Sequence, residues 1–466
     1  MNPATYQHTT SDSIYALMSS LLPRLGTRIN ASHSVREQHA RGEGLATSLL
    51  PDVVIWPKSV QEVSEIVALC NARKVPVVAF GAGTSVEGHV SAPHGGVCID
   101  MSGMNELIEV SEADGYCVVQ PGITREDLDA RLKGTGLFFP VDPGANATLG
   151  GMASTRASGT TTMRYGSMAD NVMAVQVVTA TGSVLRFGTK ARKSSAGFDL
   201  VHLMVGAEGT LGVITELTLR LHPLPQVMVA ATCSFNSLHD AVDCVTQLAM
   251  SGVPFARVEF LDEQQVKACN LHSKLGLPER PTLFLEFHGT ELAVKEQAEL
   301  AEEVAKSLGC GDFTSASRPE ERSRLWRARH MAYFAALALR PGCQSVVADV
   351  CVPISKLAAA VEAARQDIDR AGLVAPILGH VGDGNFHVLF MPMPNDAHEQ
   401  AAVERVYNAM ISRAHAVGGT CTGEHGIGMG KRQQLVAEYG PEVVDLMRTT
   451  KLAWDPNGIL NPGKIF

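Results

Sequence analysis

The chain has 466 residues, 45% of them hydrophobic, and a formal net charge of −9. That is apolar material for two or three packed lobes and too much for a disordered chain. No Lys/Arg cluster of the kind a nucleic-acid binder carries is present, so an anionic substrate needs a local cation, either a metal or a specific arginine. Ten scattered cysteines without a Cys-x-x-Cys pair argue against an iron–sulfur cluster, a zinc knuckle or a dithiol site, and they fit a reducing, cytoplasmic compartment. The opening MNPATYQHTTSDS lacks the basic start and apolar core of a signal peptide, and no apolar run approaches ~20 residues, so no transmembrane segment is expected.

Residues 11–45 read as one or two helices with a polar connection. DVVIWP is then a short strand. It is followed by a helix with Val60, Val63, Ile66, Val67 and Cys70 at helical spacing, capped by Ser59 with Glu62 three residues on. VPVVAF is the next strand and opens into the loop GAGTSVEG, the strand–helix–strand grammar of an α/β domain. GVCID follows, then hairpins through Ala113–Gly115 and Thr181–Ser183, and then GVITELTLRLHPLP, stopped by Pro223 and Pro225. From Val227 strands and helices alternate: a strand to Phe235, a helix capped by Ser237 and ended by Gly252, strands FARVEFLD and TLFLEFHG, and the helix LAVKEQAELAEEVAKSLG. This lobe reads as α+β and ferredoxin-like. A helix carrying RLWRARH, the strand VVADVCVP and a further helix lead to GHVGDGNFHVLF and GGTCTGEHGIGMG, and a last helix precedes WDPNGILNPGKIF.

Two glycine-rich loops stand out. One is Gly81 to Gly88; the other runs from Pro140 to Gly166 and is nearly free of bulky side chains. Such stretches let backbone N–H groups and hydroxyls approach a large ligand closely, and a stretch this uniform inside an ordered domain favours binding over a flexible surface loop. Neither a P-loop nor a GxGxxG opening a helix is present, so a nucleotide here does not sit on a Rossmann unit.

Asp383–Gly384 predicts a two-residue type I′ hairpin. In that register His380 faces His387 with Cβ atoms about 4.5–5.5 Å apart, a spacing that suits two ligands of one metal or a histidine pair on a wet face. Glu424 and His425, between Gly423 and Gly426, are poorly explained by packing. Two histidines and a carboxylate, His380, His387 and Glu424, suit Zn2+ or Mn2+ with open positions for substrate. A substrate hydroxyl held at such a cation is expected to lose its proton to His425 as general base. Arg329, on one helical face with Trp326, is the candidate for the substrate carboxylate, with a solvated helical arginine as the alternative.

The segments PDVVIWPKSVQEVSEIV, VPVVAFGAGTS, VDPGANATLGGMASTRASGTTTMRYG and VGAEGTLGVITELTLRL resemble the FAD-binding domain of the vanillyl-alcohol-oxidase-type flavoproteins. The C-terminal half is similar to the cytochrome-type D-lactate dehydrogenase group, related to D-2-hydroxyglutarate dehydrogenase and the glycolate dehydrogenase flavin subunit. The likeness runs from about residue 45 to the C-terminus. It implies an α+β chain with a two-part FAD-binding domain (p-cresol methylhydroxylase/vanillyl-alcohol oxidase type), a ferredoxin-like substrate domain and a C-terminal helical return. The expected divisions are 1–45, 46–225, 226–435 and 436–466. By the same resemblance Gly81, Gly83, Thr84 and Ser85 wrap the FAD pyrophosphate. Pro143, Gly144, Thr148, Gly150, Gly151, Ser154, Ser158, Gly159 and Tyr165 line the flavin and its diphosphate. Glu208, Gly209, Gly212 and Ile214 meet the ADP half, and Asn461 returns to the flavin.

Thr84 stands where some relatives carry a flavin-linking histidine, so FAD is expected to be non-covalent, with His89 as the nearby alternative. The relatives' metal ligands match His380, His387 and Glu424. No lysine stands at 346–348, where the 2-hydroxyglutarate relatives carry one, which favours a monocarboxylate such as D-lactate over a dicarboxylate. The electron acceptor is left open among cytochrome, quinone and electron-transferring flavoprotein. So are a homodimer and peripheral association with the inner face of a membrane. A flavin-free metallohydrolase and a non-catalytic FAD-binding subunit are the readings from other classes. The glycine loops oppose the first, and the intact His425 and metal set oppose the second.

Overall fold

The computed structural model describes residues 11–44 and 49–466; the expected division at 45/46 lies outside them. Two compact units emerge. The first comprises the chain up to Ala157, Ser167–Pro223 and Glu424–Phe466; the second comprises Ser158–Gly166 and Leu224–Gly423. The chain passes to the second unit two residues from the boundary read off Pro223 and Pro225. It returns at Glu424 rather than at 436, and it lends the second unit nine residues of the long glycine-rich stretch.

In the first unit Val53–Ile55, Val97–Asp100 and Val77–Phe80 lie parallel in that order. They are short continuous apolar runs, as a sheet covered on both faces requires. The crossover is the helix Val60–Arg73, in which Ser59 Oγ accepts the Glu62 amide and Lys74 ends the helix in the left-handed region at φ 54°. Val63, Ile66, Val67 and Cys70 are its buried face, as their spacing predicts. The helices Ser11–Leu25 and His33–Gln38 flank a two-residue strand, Ile29–Asn30, that pairs antiparallel with Val53–Ile55. Two residues are too few to show a period, so the sequence carries no sign of that strand.

A second sheet of this unit runs Leu107–Ser111, Tyr116–Val119, Val213–Arg220, Val172–Val178, Val184–Gly188. Its neighbours are all antiparallel. Both expected hairpins form: Ser111 pairs with Tyr116 and Val178 with Val184, with Gly115 and Gly182 at positive φ in the turns. The helices Arg432–Tyr439 and Pro441–Trp454 bring the C-terminus back to the first sheet. There Val77 donates to the Ile459 carbonyl and Asn461 donates to that of Val77.

The second unit is built on one seven-stranded sheet in the order Asp312–Ala316, Val227–Ser234, Thr282–Gly289, Phe255–Leu261, Ile377–Gly379, Asn385–Phe390, Val346–Cys351. Every neighbouring pair is antiparallel. Leu283, Leu285 and Phe287 alternate with Phe284, Glu286 and His288 along one central strand, and all six are buried. A strand with both faces covered is usually apolar throughout, so the two ionisable groups on that face require partners.

Candidate active site

Strand register lines up one polar row across the second unit. Glu286 is the partner of Arg257, and His387 is the partner of Asp349. His380 follows Leu378, which pairs with both Leu261 and His387, so His380 shares their face of the sheet. Glu259, two residues before Leu261, lies on that face too and accepts from His380 Nδ1 at 2.7 Å. The other oxygen of Glu259, Oε2, takes Arg329 Nε at 2.9 Å and Nη2 at 2.6 Å. Arg329 and Trp326 share a face of the helix Pro319–His330 as their spacing predicts, and both are buried. Trp326 donates to Glu286, and the Arg257 guanidinium stacks 4.5 Å above the indole.

The hairpin carrying the histidines differs from its expected form. A type I′ turn needs positive φ at both Asp383 and Gly384, and only Gly384 has it, at φ 79°. Val381–Asp383 instead forms one 3-10 turn, and His387 pairs with Leu378 rather than with His380. The shift is two residues, so it preserves the face of the sheet. The imidazoles become diagonal neighbours with centroids 5.4 Å apart and planes at 85°. His387 Nδ1 lies 3.4 Å from Asp349 Oδ1, and Asp349 also accepts from Asn385 Nδ2 at 2.7 Å and from Thr422 Oγ1 at 2.9 Å. His380 thus has a carboxylate hydrogen-bonded at Nδ1, which leaves Nε2 to present a lone pair, while Asp349 stands behind the His387 ring. Gly423 closes the second unit. A Cβ there would stand 2.1 Å from Asn385 Nδ2 and 3.1 Å from Asp349 Oδ1, so the Gly423 backbone lies directly on that pair.

Glu424 and His425 open the last stretch of the first unit, with His425 Nε2 3.7 Å from Glu424 Oε1. The loop behind them is tied down by Glu208, whose carboxylate accepts from Ile427 N at 2.7 Å and Gly428 N at 2.8 Å and lies 3.3 Å from His89 Nε2. Burial pushes the Glu208 carboxyl up, but the His89 charge and these hydrogen bonds outweigh it and hold the group below its usual range. Met429 N donates to the Glu87 carbonyl, and Lys431 Nζ pairs with Glu87 at 3.2 Å. A Cβ at Gly426 would approach Glu208 Oε1 to 2.7 Å, and one at Gly428 would stand 2.1 Å from the Glu87 carbonyl oxygen. The glycines around Glu424–His425 therefore let this loop lie directly on Glu87, His89 and Glu208.

The residues expected around FAD divide between the units. In the first, Gly81 adjoins Thr148, since a Cβ on Gly81 would reach Thr148 Oγ1 at 2.1 Å; the two glycine-rich loops meet there. Gly83 turns at φ 70°, and the Ser85 hydroxyl oxygen in the same loop is buried without a hydrogen-bond partner. Gly150 packs on Pro121, Gly144 and Gly151 are exposed, Pro143 is half-buried beside them, and Thr84 is half-buried in the first loop. Ser154 Oγ donates to the Gly150 carbonyl. Glu208, expected against the ADP half, spends its carboxylate on the 424–430 loop, its amide on the Ser154 carbonyl and its carbonyl on Asn461 Nδ2. Gly209 lies beside that same Asn461 amide, while Gly212 and the buried Ile214 pack at the strand Val213–Arg220. His89 is buried beside Glu208.

Ser158, Gly159 and Tyr165 belong to the second unit. Gly159 N donates to Thr162 Oγ1, and the Tyr165 hydroxyl meets His288 Nδ1 at 2.8 Å. His288 Nε2 in turn meets Glu286 at 2.8 Å, which joins Tyr165 to the polar row. Arg257, Glu259, Glu286, His288, Asp349 and Asn385 were not singled out in the sequence. For all but Asn385 the signal was present, as ionisable residues at alternate positions in FARVEFL and TLFLEFHG and as one aspartate in VVADVC, but which of them face one another is a matter of register.

The FAD binding domain family matches residues 51–188, and the family described as FAD linked oxidases, C-terminal domain, matches residues 224–465. The chain is 47% identical over 440 residues to a probable D-lactate dehydrogenase, mitochondrial, of Danio rerio, covering 94% of this chain and 88% of that one. It is 44% identical over 416 residues to D-lactate dehydrogenase (cytochrome), mitochondrial, of Arabidopsis thaliana, covering 89% and 73%. Among solved structures, p-cresol methylhydroxylase with substrate bound superposes with a TM-score of 0.78 at 18% identity over 98% of this chain and 97% of that one, a likeness of fold. The fold is the two-part FAD-binding architecture that the motifs imply.

Proposed function

Because the chain belongs to the FAD-linked oxidase family, we propose that it is a D-2-hydroxy acid dehydrogenase that converts D-lactate to pyruvate with FAD and one divalent cation, Zn2+ or Mn2+, and passes its electrons to a cytochrome. The residues fit both groups. Around the first glycine loop, a buried Ser85 hydroxyl without a partner is what a ligand oxygen would satisfy, and the missing Cβ at Gly81 lets Thr148 of the second loop close against the first. Thr84 cannot link to a flavin as a histidine does, and His89 is engaged with Glu208, which supports non-covalent binding. FAD when bound supplies the acceptor for the C2 hydrogen as hydride.

His380, His387 and Glu424 are the proposed cation ligands, two imidazoles and a carboxylate. The cation when bound supplies a Lewis acid that lowers the pKa of the substrate hydroxyl. His425 takes that proton on Nε2, the nitrogen beside Glu424. Arg329, held by Glu259, offers its charge to the substrate carboxylate. Val346, Val347 and Ala348 supply no cation for a second carboxylate, which favours a monocarboxylate.

The observation that carries this reading is the histidine pair, 5.4 Å apart with a carboxylate behind each ring. The test is anaerobic mixing of the flavin-loaded protein with D- and L-lactate, glycolate and D-2-hydroxyglutarate while the flavin absorbance is followed. D-lactate should bleach it fastest. No bleaching by any hydroxy acid would refute the activity, and faster bleaching by glycolate or D-2-hydroxyglutarate would replace the substrate.

A further inference from the structure

The central strand Phe255–Leu261 buries a carboxylate, Glu259, whose side chain is 0% exposed. An ionised group in that position requires opposite charge and hydrogen bonds at both oxygens. It has them, and they are divided. Oε1 accepts from His380 Nδ1 at 2.7 Å, while Oε2 accepts from Arg329 Nε at 2.9 Å and Nη2 at 2.6 Å. The strand pairing Phe260↔Gly379 and the helix Pro319–His330 bring these two partners to opposite sides of one carboxylate.

We propose that Glu259 is a positioning residue that holds His380 and Arg329 together, fixing the imidazole as a cation ligand and the guanidinium as a substrate-carboxylate partner. This rests on the cation reading given above. A carboxylate accepting at Nδ1 keeps the His380 proton there and leaves Nε2 with its lone pair. The same group holds the Arg329 fork, so a change in this carboxylate disturbs the ligand and the arginine together.

Glutamine at this position is nearly isosteric but has one acceptor oxygen where Glu259 has two, with N–H donors in place of the other. If the amide oxygen stays on Arg329, as its charge favours, the N–H faces His380 Nδ1 and drives the ring proton to Nε2, the atom needed as a ligand. Glu259→Gln is therefore expected to lower Zn2+ and Mn2+ affinity by about 10–100-fold. The affinity is read by competition with a fluorescent chelator on the flavin-loaded full chain, and the flavin absorbance spectrum should be unchanged. The KM for the hydroxy acid should rise as well. Arg329→Met, which leaves Glu259 on His380, should raise the KM while holding metal affinity within a few-fold.

Wild-type metal affinity in Glu259→Gln would overturn the proposal. A wild-type chain that takes up neither ion would instead overturn the cation reading itself, and with it this role of Glu259. Should Glu259→Gln fail to fold, Glu259→Asp serves. Its carboxylate is one methylene too short to span both partners, so its metal affinity should fall too, and an unchanged affinity would equally refute the coupling.

Discussion

Gly428 adopts φ 49°, and a Cβ on it would lie 2.1 Å from the Glu87 carbonyl oxygen, which also accepts from Met429. Backbone cannot yield there as a flexible side chain would. Gly418 is also left-handed, at φ 80°, but has open space around it. Gly418→Ala should therefore show only the left-handed penalty of about 1–2 kcal/mol. Gly428→Ala should be more destabilising than that and should weaken substrate reduction, because it displaces the loop carrying His425. Denaturant unfolding of the two variants checks this, and equal losses would mean that the close approach is relieved at no cost.

His425 is the residue on which the proposed chemistry turns. His425→Ala should keep FAD bound and slow flavin reduction by the hydroxy acid by about 10²–10⁴-fold, the usual worth of a general base. Rapid-mixing absorbance measures it, and near-normal reduction would remove His425 as the base.

At the scale of elements, pairing register decides the site. The strands Phe255–Leu261 and Thr282–Gly289 carry a register shift between Phe255 and Arg257, after which Arg257 opposes Glu286. Without that one-residue irregularity Phe255 and Arg257 would point to the same face, and the charged row would lose the partner of Glu286. Burial pushes the Glu286 carboxyl up, and the Arg257 charge with the His288 and Trp326 bonds outweighs it, so the group stays ionised in a dry place.

A second element junction is pH-dependent. His39, just after the helix His33–Gln38, meets Asp100 Oδ2 at the end of the strand Val97–Asp100 at 2.9 Å, and Trp56 Nε1 donates to the same oxygen. Burial lowers the His39 imidazole, but the bonds to Asp100 and the Val35 carbonyl and the Asp100 charge outweigh it and raise its pKa. Burial likewise raises the Asp100 carboxyl, and its bonds to His39 and Ser102 bring it below its ordinary value. The His39 contribution is full below about pH 6.5 and is lost as pH rises through the raised pKa. The Asp100 contribution is present above about pH 4 and is lost as pH falls through the lowered one. The stability difference between wild type and His39→Gln should therefore be largest between those limits and shrink on both sides. A difference that stays constant from pH 3 to 9 would exclude this ion pair.

For the whole molecule, removal of the proposed cation is the broadest test. Chelator-treated, metal-free protein should keep its flavin yet lose turnover, and Zn2+ or Mn2+ should restore it. Full turnover by protein shown to be metal-free would remove the cation from the mechanism. No described helix is long and apolar enough to cross a membrane. Much of this molecule was legible as sequence, because the signals are local. Helical spacing marked the buried face of Val60–Arg73, and Gly115 and Gly182 marked their hairpins. The chemistry of GHVGDGNFH and GEHG set apart His380, His387, Glu424 and His425 without reference to anything distant. What no local pattern holds is the pairing of segments far apart in the chain. Glu208 meets Ile427 across 219 positions, and Glu259 meets His380 across 121. A charged residue in an apolar strand announces that it needs a partner, but the partner is chosen by register, a bulge and the path of the tail, which exist only once the sheets have formed.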